Sequence, residues 1–252
     1  MDREEIQLQH RMQDLAEKFF QRNQYTCTGF LSLAQQELFW QIQRELSYVP
    51  YELYGGNEAC ERKILRFGDG SQLGYEEPFP IACVHILPAG KKYAEDLSHR
   101  DYLGALMNLG MERSTLGDIF WENGEAWLFC KDTMADYICE NLTQVRHTIV
   151  HCHVVDAAES LPVREPENIE VTVSSERMDG VIAGIYHLSR QKSQDLFGDK
   201  KVYVDGRGAE SPGRSLKPGE LVTVRGFGRF LYEGKKCDTR KGKLCVKAQV
   251  YR

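Results

Sequence analysis

Close to its start the chain repeats apolar residues at helical spacing. Ile6, Leu8, Met12, Leu15, Ala16, Phe19 and Phe20 form a broad stripe among Glu, Gln and Arg, which predicts a helix over 2–22. A second helix is expected from about Ala34 to Leu46. Strand-like runs follow at Tyr51–Tyr54 and Arg62–Phe67, set apart by Gly55-Gly56 and closed by Gly68-Asp69-Gly70. From Ile81 the pattern sharpens. IACVHIL (81–87) reads as a strand, and Ser98–Leu109 as a helix with Ser98 as N-cap, Asp101 in the first turn and Gly110 as stop. GDIFW (117–121) and EAWLFC (125–130) are strands around a Glu122-Asn123-Gly124 turn. A helix over Asp132–Leu142 and a strand at HTIVHCHVV (147–155) complete the run.

Strand, helix, strand, strand, helix, strand is the ferredoxin-like order, used by many RNA-binding domains and by many unrelated proteins. DAAESLPVREPEN (156–168) has two prolines, many acids and little periodicity, and reads as a linker. Beyond it, Met178, Val181, Ile182 and Ile185 predict a short helix. Gly180 and Gly184, one turn apart on it, point to close packing, with a neighbouring helix as the expected partner. Ser189 is placed to cap a second helix that runs to about Phe197 and stops at Gly198. Strands follow at KVYVDG (201–206), within 216–230, and at LCVKAQVY (244–251), where Leu244, Val246, Ala248 and Val250 alternate with polar residues. The expected fold class is α+β. The expected domains are an N-terminal helical/strand segment (1–78), a ferredoxin-like, RRM-like domain (79–156), a linker (157–169) and a small C-terminal αβ domain (170–252).

Charge separates the two ends. The 252 residues have a formal net charge of −5. Ser174–Arg252 carries 17 Lys+Arg against 9 Asp+Glu, whereas 1–173 carries 15 against 28. A basic third on an acidic chain points to a polyanion partner or to a solvated cationic surface. The N-terminus lacks the apolar core of a secretory signal, and no apolar run approaches the roughly 18 residues of a membrane span. The eight cysteines form no C-x-x-C pair and read as reduced, mostly buried thiols of a cytoplasmic protein.

The helix capped by Ser189 opens with Arg190 and Lys192, where free N–H groups and the helix dipole already concentrate positive potential. Two readings are open. Either an anion such as phosphate completes the site, or both side chains extend into water. Arg225 and Arg229, which flank Gly226 and Gly228, and the basic stretch KKCDTRKGK (235–243), expected as a hairpin tip, offer further phosphate contacts.

The pieces Ser175-Glu176-Arg177-Met178-Asp179, Leu188-Ser189-Arg190, Lys201–Gly206 and Leu216–Val224, in that order, resemble the S-four-type RNA-binding domain, or alpha-L motif. Family members usually have Leu, Asn and Asp where this chain has Met178, Asp205 and Glu220, and Asp205 places a negative charge near the RNA face. Upstream, "GGNEACERKILRF" (55–67) and "SHRDYLGALMNLGMERSTLGDI" (98–119) resemble the YlmH-type bacterial proteins over nearly the whole chain. The resemblance implies binding of structured rRNA and tRNA on the large ribosomal subunit, peptidyl-tRNA included, in quality control of stalled ribosomes. It also implies an RNA surface of Arg177, Ser189, Arg190, Lys192 and Ser193, with Asp179 holding the helical corner. Lys200, Lys201, Arg225, Arg229, Lys235 and Lys236 extend the expected surface.

Other constellations carry less. His147, His151, Cys152 and His153 look like metal ligands, but on a strand His151 and His153 share one face, Cys152 points to the other, and further ligands are lacking. If Cys152 packs with Val150 and Val154, the opposite face carries His151, His153, Trp127 and Phe129. That face either stacks bases or is covered by the N-terminal helices. His99, Arg100 and Arg113 are either phosphate contacts or plain surface. No nucleotide-binding, zinc-protease or nucleophile-elbow motif occurs. No catalysis, metal, cofactor, membrane or small-molecule substrate is expected. The rival readings are an RNA-modifying enzyme of the pseudouridine synthase or methyltransferase type, and a cell-division adaptor.

Overall fold

The amphipathic stripe near the N-terminus forms α1 (Arg3–Arg22), which buries Met12, Ala16 and Phe19. The computed structural model describes residues 3–90, 95–156, 161, 166–239 and 242–251. After α1 come β1 (Thr26–Leu31) and α2 (Leu33–Ile42), then β2 (Tyr51–Tyr54), β3 (Lys63–Phe67) and the single turn α3 (Gly70–Leu73). Strand β1 was not foreseen. It pairs with β3 through a register break between Cys27 and Phe30, and that irregularity hides its alternation. Helix α2 opens on a capping box between Ser32 and Gln35 and ends at Ile42, short of Leu46. Leu46 and Val49 are buried from the turns that follow.

Strands β1, β3 and β2 form an antiparallel sheet in that order. On one side, Leu65 and Phe67 pack with Met12, Ala16, Phe19 and Phe39 of the two helices. On the other, Phe30, Ile64 and Cys60 pack on Cys83, Trp127 and Phe129 of a second sheet. That sheet is built from β4 (Ile81–Pro88), β5 (Leu116–Glu122), β6 (Glu125–Lys131), β7 (Gln144–Val145) and β8 (Thr148–Val155), with α4 (His99–Asn108) and α5 (Asp132–Asn141) between its strands. Its order is β5-β6-β4-β8-β7, and every pair is antiparallel. Asn123 and Gly124 both take positive φ in the β5–β6 turn, as a two-residue hairpin requires. Tyr102 and Leu106 of α4 and Ala135 and Ile138 of α5 fill the helix-side core with Val84, Ile86 and Leu128.

Two expectations change here. Trp127 and Phe129 are covered by β1, β3 and the loop at Cys60, not by the N-terminal helices, while His151 and His153 are exposed. A β-sheet supplies a flat apolar face that a flat sheet can cover, and the helices are occupied on its far side. The segments 1–78 and 79–156 therefore share a core and form one compact unit, Met1–Pro162.

The second unit, Val163–Arg252, begins with β9 (Glu167–Val173). This strand starts inside the stretch read as linker. Val171 and Val173 are buried, and Asn168, Glu170 and Thr172 on the outward face, with exposed Glu167 at the strand's start, masked the pattern. Residues 157–160 and 162–165 of that linker lie outside the described residues. Next come α6 (Met178–Ile185) and α7 (Arg190–Gly198), then β10 (Val202–Val204), β11 (Arg207–Gly208), β12 (Leu221–Val224), β13 (Gly228–Asp238) and β14 (Leu244–Tyr251). The sheet is antiparallel in the order β11-β10-β12-β13-β14-β9. Met178, Val181, Ile182 and Ile185 pack with Leu196 and Phe197 on Val222, Phe230, Val246 and Ala248 of the sheet.

Gly184 meets strand β9 rather than a helix: a Cβ there would lie 3.3 Å from Val171 Cβ, whereas one at Gly180 would meet only Ser175 O, at 4.0 Å. The stop of α7 is Lys200, not Gly198. Lys200 takes φ 52°, its N–H reaches Phe197 O, and the Lys201 N–H reaches Leu196 O. This is the Schellman closure with a lysine in the place that usually takes glycine.

Candidate nucleic-acid interface

The corner between α6 and α7 is organised around one carboxylate. Asp179, in the first turn of α6, is fully buried. Arg177 donates to it through Nε and an Nη, both at 3.1 Å. Gln194 donates at 3.0 Å, the Gly180 N–H at 2.9 Å, and Arg190 Nε lies 3.5 Å away. Burial on its own would raise the Asp179 carboxyl. The hydrogen bonds from Arg177 and Gln194 and the charges of Arg177 and Arg190 outweigh burial and hold it at about 2. The same pairing raises the Arg177 guanidinium. Two guanidinium groups thus share one buried carboxylate and keep their outer faces in water: the Arg177 side chain is 40% exposed and that of Arg190 65%.

The two helix starts differ. The N–H groups of Met178 and Asp179 are taken by Arg214 O (2.9 Å) and Pro212 O (3.0 Å), so the start of α6 is closed by the 211–216 segment. A Cβ on Gly213 would lie 3.1 Å from an Nη of Arg177, so this segment lies close against the guanidinium. At α7, Ser189 Oγ accepts the Lys192 N–H at 3.1 Å. No described group accepts the N–H of Arg190 or Gln191. Positive potential at this end is therefore open to solvent. Lys192 is exposed and makes no ion pair with a described residue.

The remaining expected residues sort by what already holds them. Lys200 and Arg225 are exposed and unpaired among the described residues. The Arg225 N–H donates to Lys201 O, which puts these residues together at the far end of α7, about 13 Å along its axis from Arg190. Lys201 pairs with Asp199 (2.8 Å), Lys235 with Asp238 (2.7 Å) and Lys236 with Glu170 (2.6 Å). Arg229 lies over the Tyr251 ring. Ser193 does not line a surface. It is fully buried, and its Oγ donates to Asp179 O at 2.8 Å, because its position on α7 faces α6. The two acidic departures are absorbed locally. Asp205 Oδ1 accepts the Leu221 N–H at 3.0 Å, and Glu220 pairs with Arg214 and caps the Lys217 N–H. Sequence reasoning missed Gln194 and Gly213. Gln194 stands four residues after Arg190, on the same helix face, and that spacing was the available signal.

The upstream motifs do different work. Arg62 is buried and donates to Leu116 O (2.9 Å), Phe30 O (2.9 Å) and Arg113 O (2.8 Å). Arg113 donates to Leu116 O and Gly117 O. Asp118 accepts the Arg62 N–H at 2.9 Å. Burial, then the neighbouring Arg113, lowers the Arg62 guanidinium to about 10. These residues clamp the 55–62 loop to β5 and leave few donors for a ligand.

Comparison with known proteins covers both units. Residues 75–159 match a family described as "Putative RNA-binding domain in YlmH". The Ribosome-associated protein quality control protein P2 of Bacillus subtilis is 30% identical over 220 residues, spanning 87% of this chain and 84% of that protein. The small ribosomal subunit protein uS4 of Staphylococcus haemolyticus is 38% identical over 60 residues, 23% of this chain and 30% of that protein. Among solved structures, the cell division protein ylmH of Streptococcus pneumoniae superposes with a TM-score of 0.52 at 13% identity, covering 64% of this chain and 97% of that one.

Proposed function

The chain belongs to the YlmH family, and from that premise we propose that it is a cytoplasmic RNA-binding protein of the ribosome that acts by binding and not by catalysis. The C-terminal unit is read as an S-four-type domain, supported by the order of its motif pieces and by the similarity to protein uS4. The strand order β5-β6-β4-β8 with α4 and α5 on one face supports a ferredoxin-like reading of the second sheet. The relative's name supports a place in quality control of stalled ribosomes. On that reading the RNA is structured rRNA or tRNA on the large subunit.

The observation that carries the proposal is the corner itself. Arg177 and Arg190 are oriented by a buried carboxylate, Lys192 is unpaired beside them, and the first N–H groups of α7 face water. Such a corner supplies charge-assisted donors to a phosphate without first breaking a compensating ion pair. Recognition then rests on backbone charge and RNA shape. The test is sedimentation of tagged protein with ribosomes, followed by sequencing of crosslinked RNA. The expected result is comigration with large subunits and crosslinks to rRNA or tRNA at the α6–α7 corner. Protein that stays at the top of the gradient, with no RNA crosslinked to the C-terminal unit, overturns the reading.

A further inference from the structure

Two cysteines face each other across the β13–β14 hairpin. Cys237 is the direct partner of Cys245 in the antiparallel ladder. Such partners stand about 4.5–5.5 Å apart at Cα, inside the roughly 4.4–6.8 Å that a disulfide spans. A bulge creates this pairing. Lys235 sits opposite Val246 and Cys237 opposite Cys245, so Lys236 is the extra residue. In an unbroken ladder Lys236 would face Cys245, and Cys237 would face Leu244. Cys245 Sγ donates to Glu170 Oε2 at 3.7 Å. Cys237 is exposed and Cys245 half-buried, whereas Cys60, Cys83 and Cys130 are buried in the other unit.

We propose that Cys237 and Cys245 are a modification site, a dithiol that closes reversibly to a cross-strand disulfide with a low-molecular-weight disulfide of the glutathione class as oxidant. In a reducing cytoplasm, disulfides of this kind are transient and redox-sensing rather than structural. The Cys237 thiolate attacks one sulfur of the oxidant and releases the first small thiol, which takes up the proton Cys237 lost. Cys245 then loses its proton and attacks the Cys237 sulfur, releasing the second small thiolate, which takes up that proton to leave as a thiol. Two protein thiols are oxidised to one disulfide and one small disulfide is reduced to two thiols. Cys237 is the more exposed thiol, so it attacks the oxidant first and half-buried Cys245 resolves.

The full chain is equilibrated in buffers of varied reduced and oxidised glutathione, unfolded in guanidinium chloride with iodoacetamide so that every free thiol is trapped, digested and read by mass spectrometry. The expected product under oxidising conditions is a Cys237–Cys245 crosslink that dithiothreitol reverses, with Cys60, Cys83 and Cys130 alkylated throughout. Cys245→Ser is expected to stop at a glutathione adduct on Cys237, and Cys237→Ser to give no crosslink. If the wild-type chain keeps both thiols alkylatable, or stops at the Cys237 adduct, the proposal is overturned. No RNA enters this readout, so its outcome is independent of the RNA-binding reading.

Discussion

Two arginine clusters in this protein use the same residue types for opposite ends. Around Arg62, guanidinium donors are spent on backbone carbonyls, and Asp118 is spent on a backbone N–H. Around Asp179, a buried carboxylate collects Arg177, Arg190 and Gln194 and leaves the outer faces of both arginines in water. Burial, then Arg113, lowers Arg62, while a carboxylate partner raises Arg177. A cation is available to a ligand according to how many of its donors the fold has already used, not according to the motif that contains it.

That contrast can be broken by substitution. The largest stability effect is expected at Arg62. Arg62→Ala removes hydrogen bonds to three backbone carbonyls, of which Leu116 O alone keeps a guanidinium donor, from Arg113, and should destabilise the N-terminal unit by about 3 kcal/mol in urea unfolding. RNA affinity of the folded protein should be unchanged. Asp179→Ala should cost the C-terminal unit about 2 kcal/mol and weaken RNA binding as well, since both arginines lose their anchor. The two effects belong to one residue only at this corner.

Acid sharpens the same point. The Asp179 carboxyl is depressed from 3.8 to about 2 in the folded protein. Its stabilisation is therefore complete above about pH 4 and is lost as pH falls towards 2. Acid unfolding of Asp179→Asn, followed by circular dichroism, should lack that component. Arg190→Ala with Lys192→Ala should leave stability within about 0.5 kcal/mol while lowering RNA affinity by roughly tenfold or more. The smallest effect is expected for Lys235→Ala with Lys236→Ala, whose charges Asp238 and Glu170 already offset. In filter binding that pair should change affinity by less than about threefold.

Much of this organisation was legible in the chain. The start of α4 at Ser98 with Asp101 in its first turn, the Asn123-Gly124 turn and the apolar face of α6 follow from local chemistry, and local chemistry is what a sequence displays. What escaped was set by tertiary context. Strand β1 has a broken register. Strand β9 hides behind acidic outward positions. A lysine closes α7 where a glycine stood two residues earlier. At the site, Arg177, Asp179, Ser189 and Arg190 were singled out through the motif, and the fold brings them to the α6–α7 corner. Ser193 was misplaced because a serine between two polar residues of a short helix does not reveal which face meets α6. Nor could Lys236 be recognised as already paired, since Glu170 lies on a strand far away in sequence.

The central claim is that the α6–α7 corner supplies phosphate contacts. Of the cations expected at the RNA surface, five lack a carboxylate of their own among the described residues: Arg177 and Arg190, which share Asp179, together with Lys192, Lys200 and Arg225. About five phosphate contacts give a log–log salt dependence of roughly −3 to −5. Salt titration of RNA binding by the wild-type chain and by Arg190→Ala with Lys192→Ala measures this directly. The account predicts a slope flatter by about one to two in the variant. An unchanged slope, with the variant folded, would place the RNA elsewhere and contradict it.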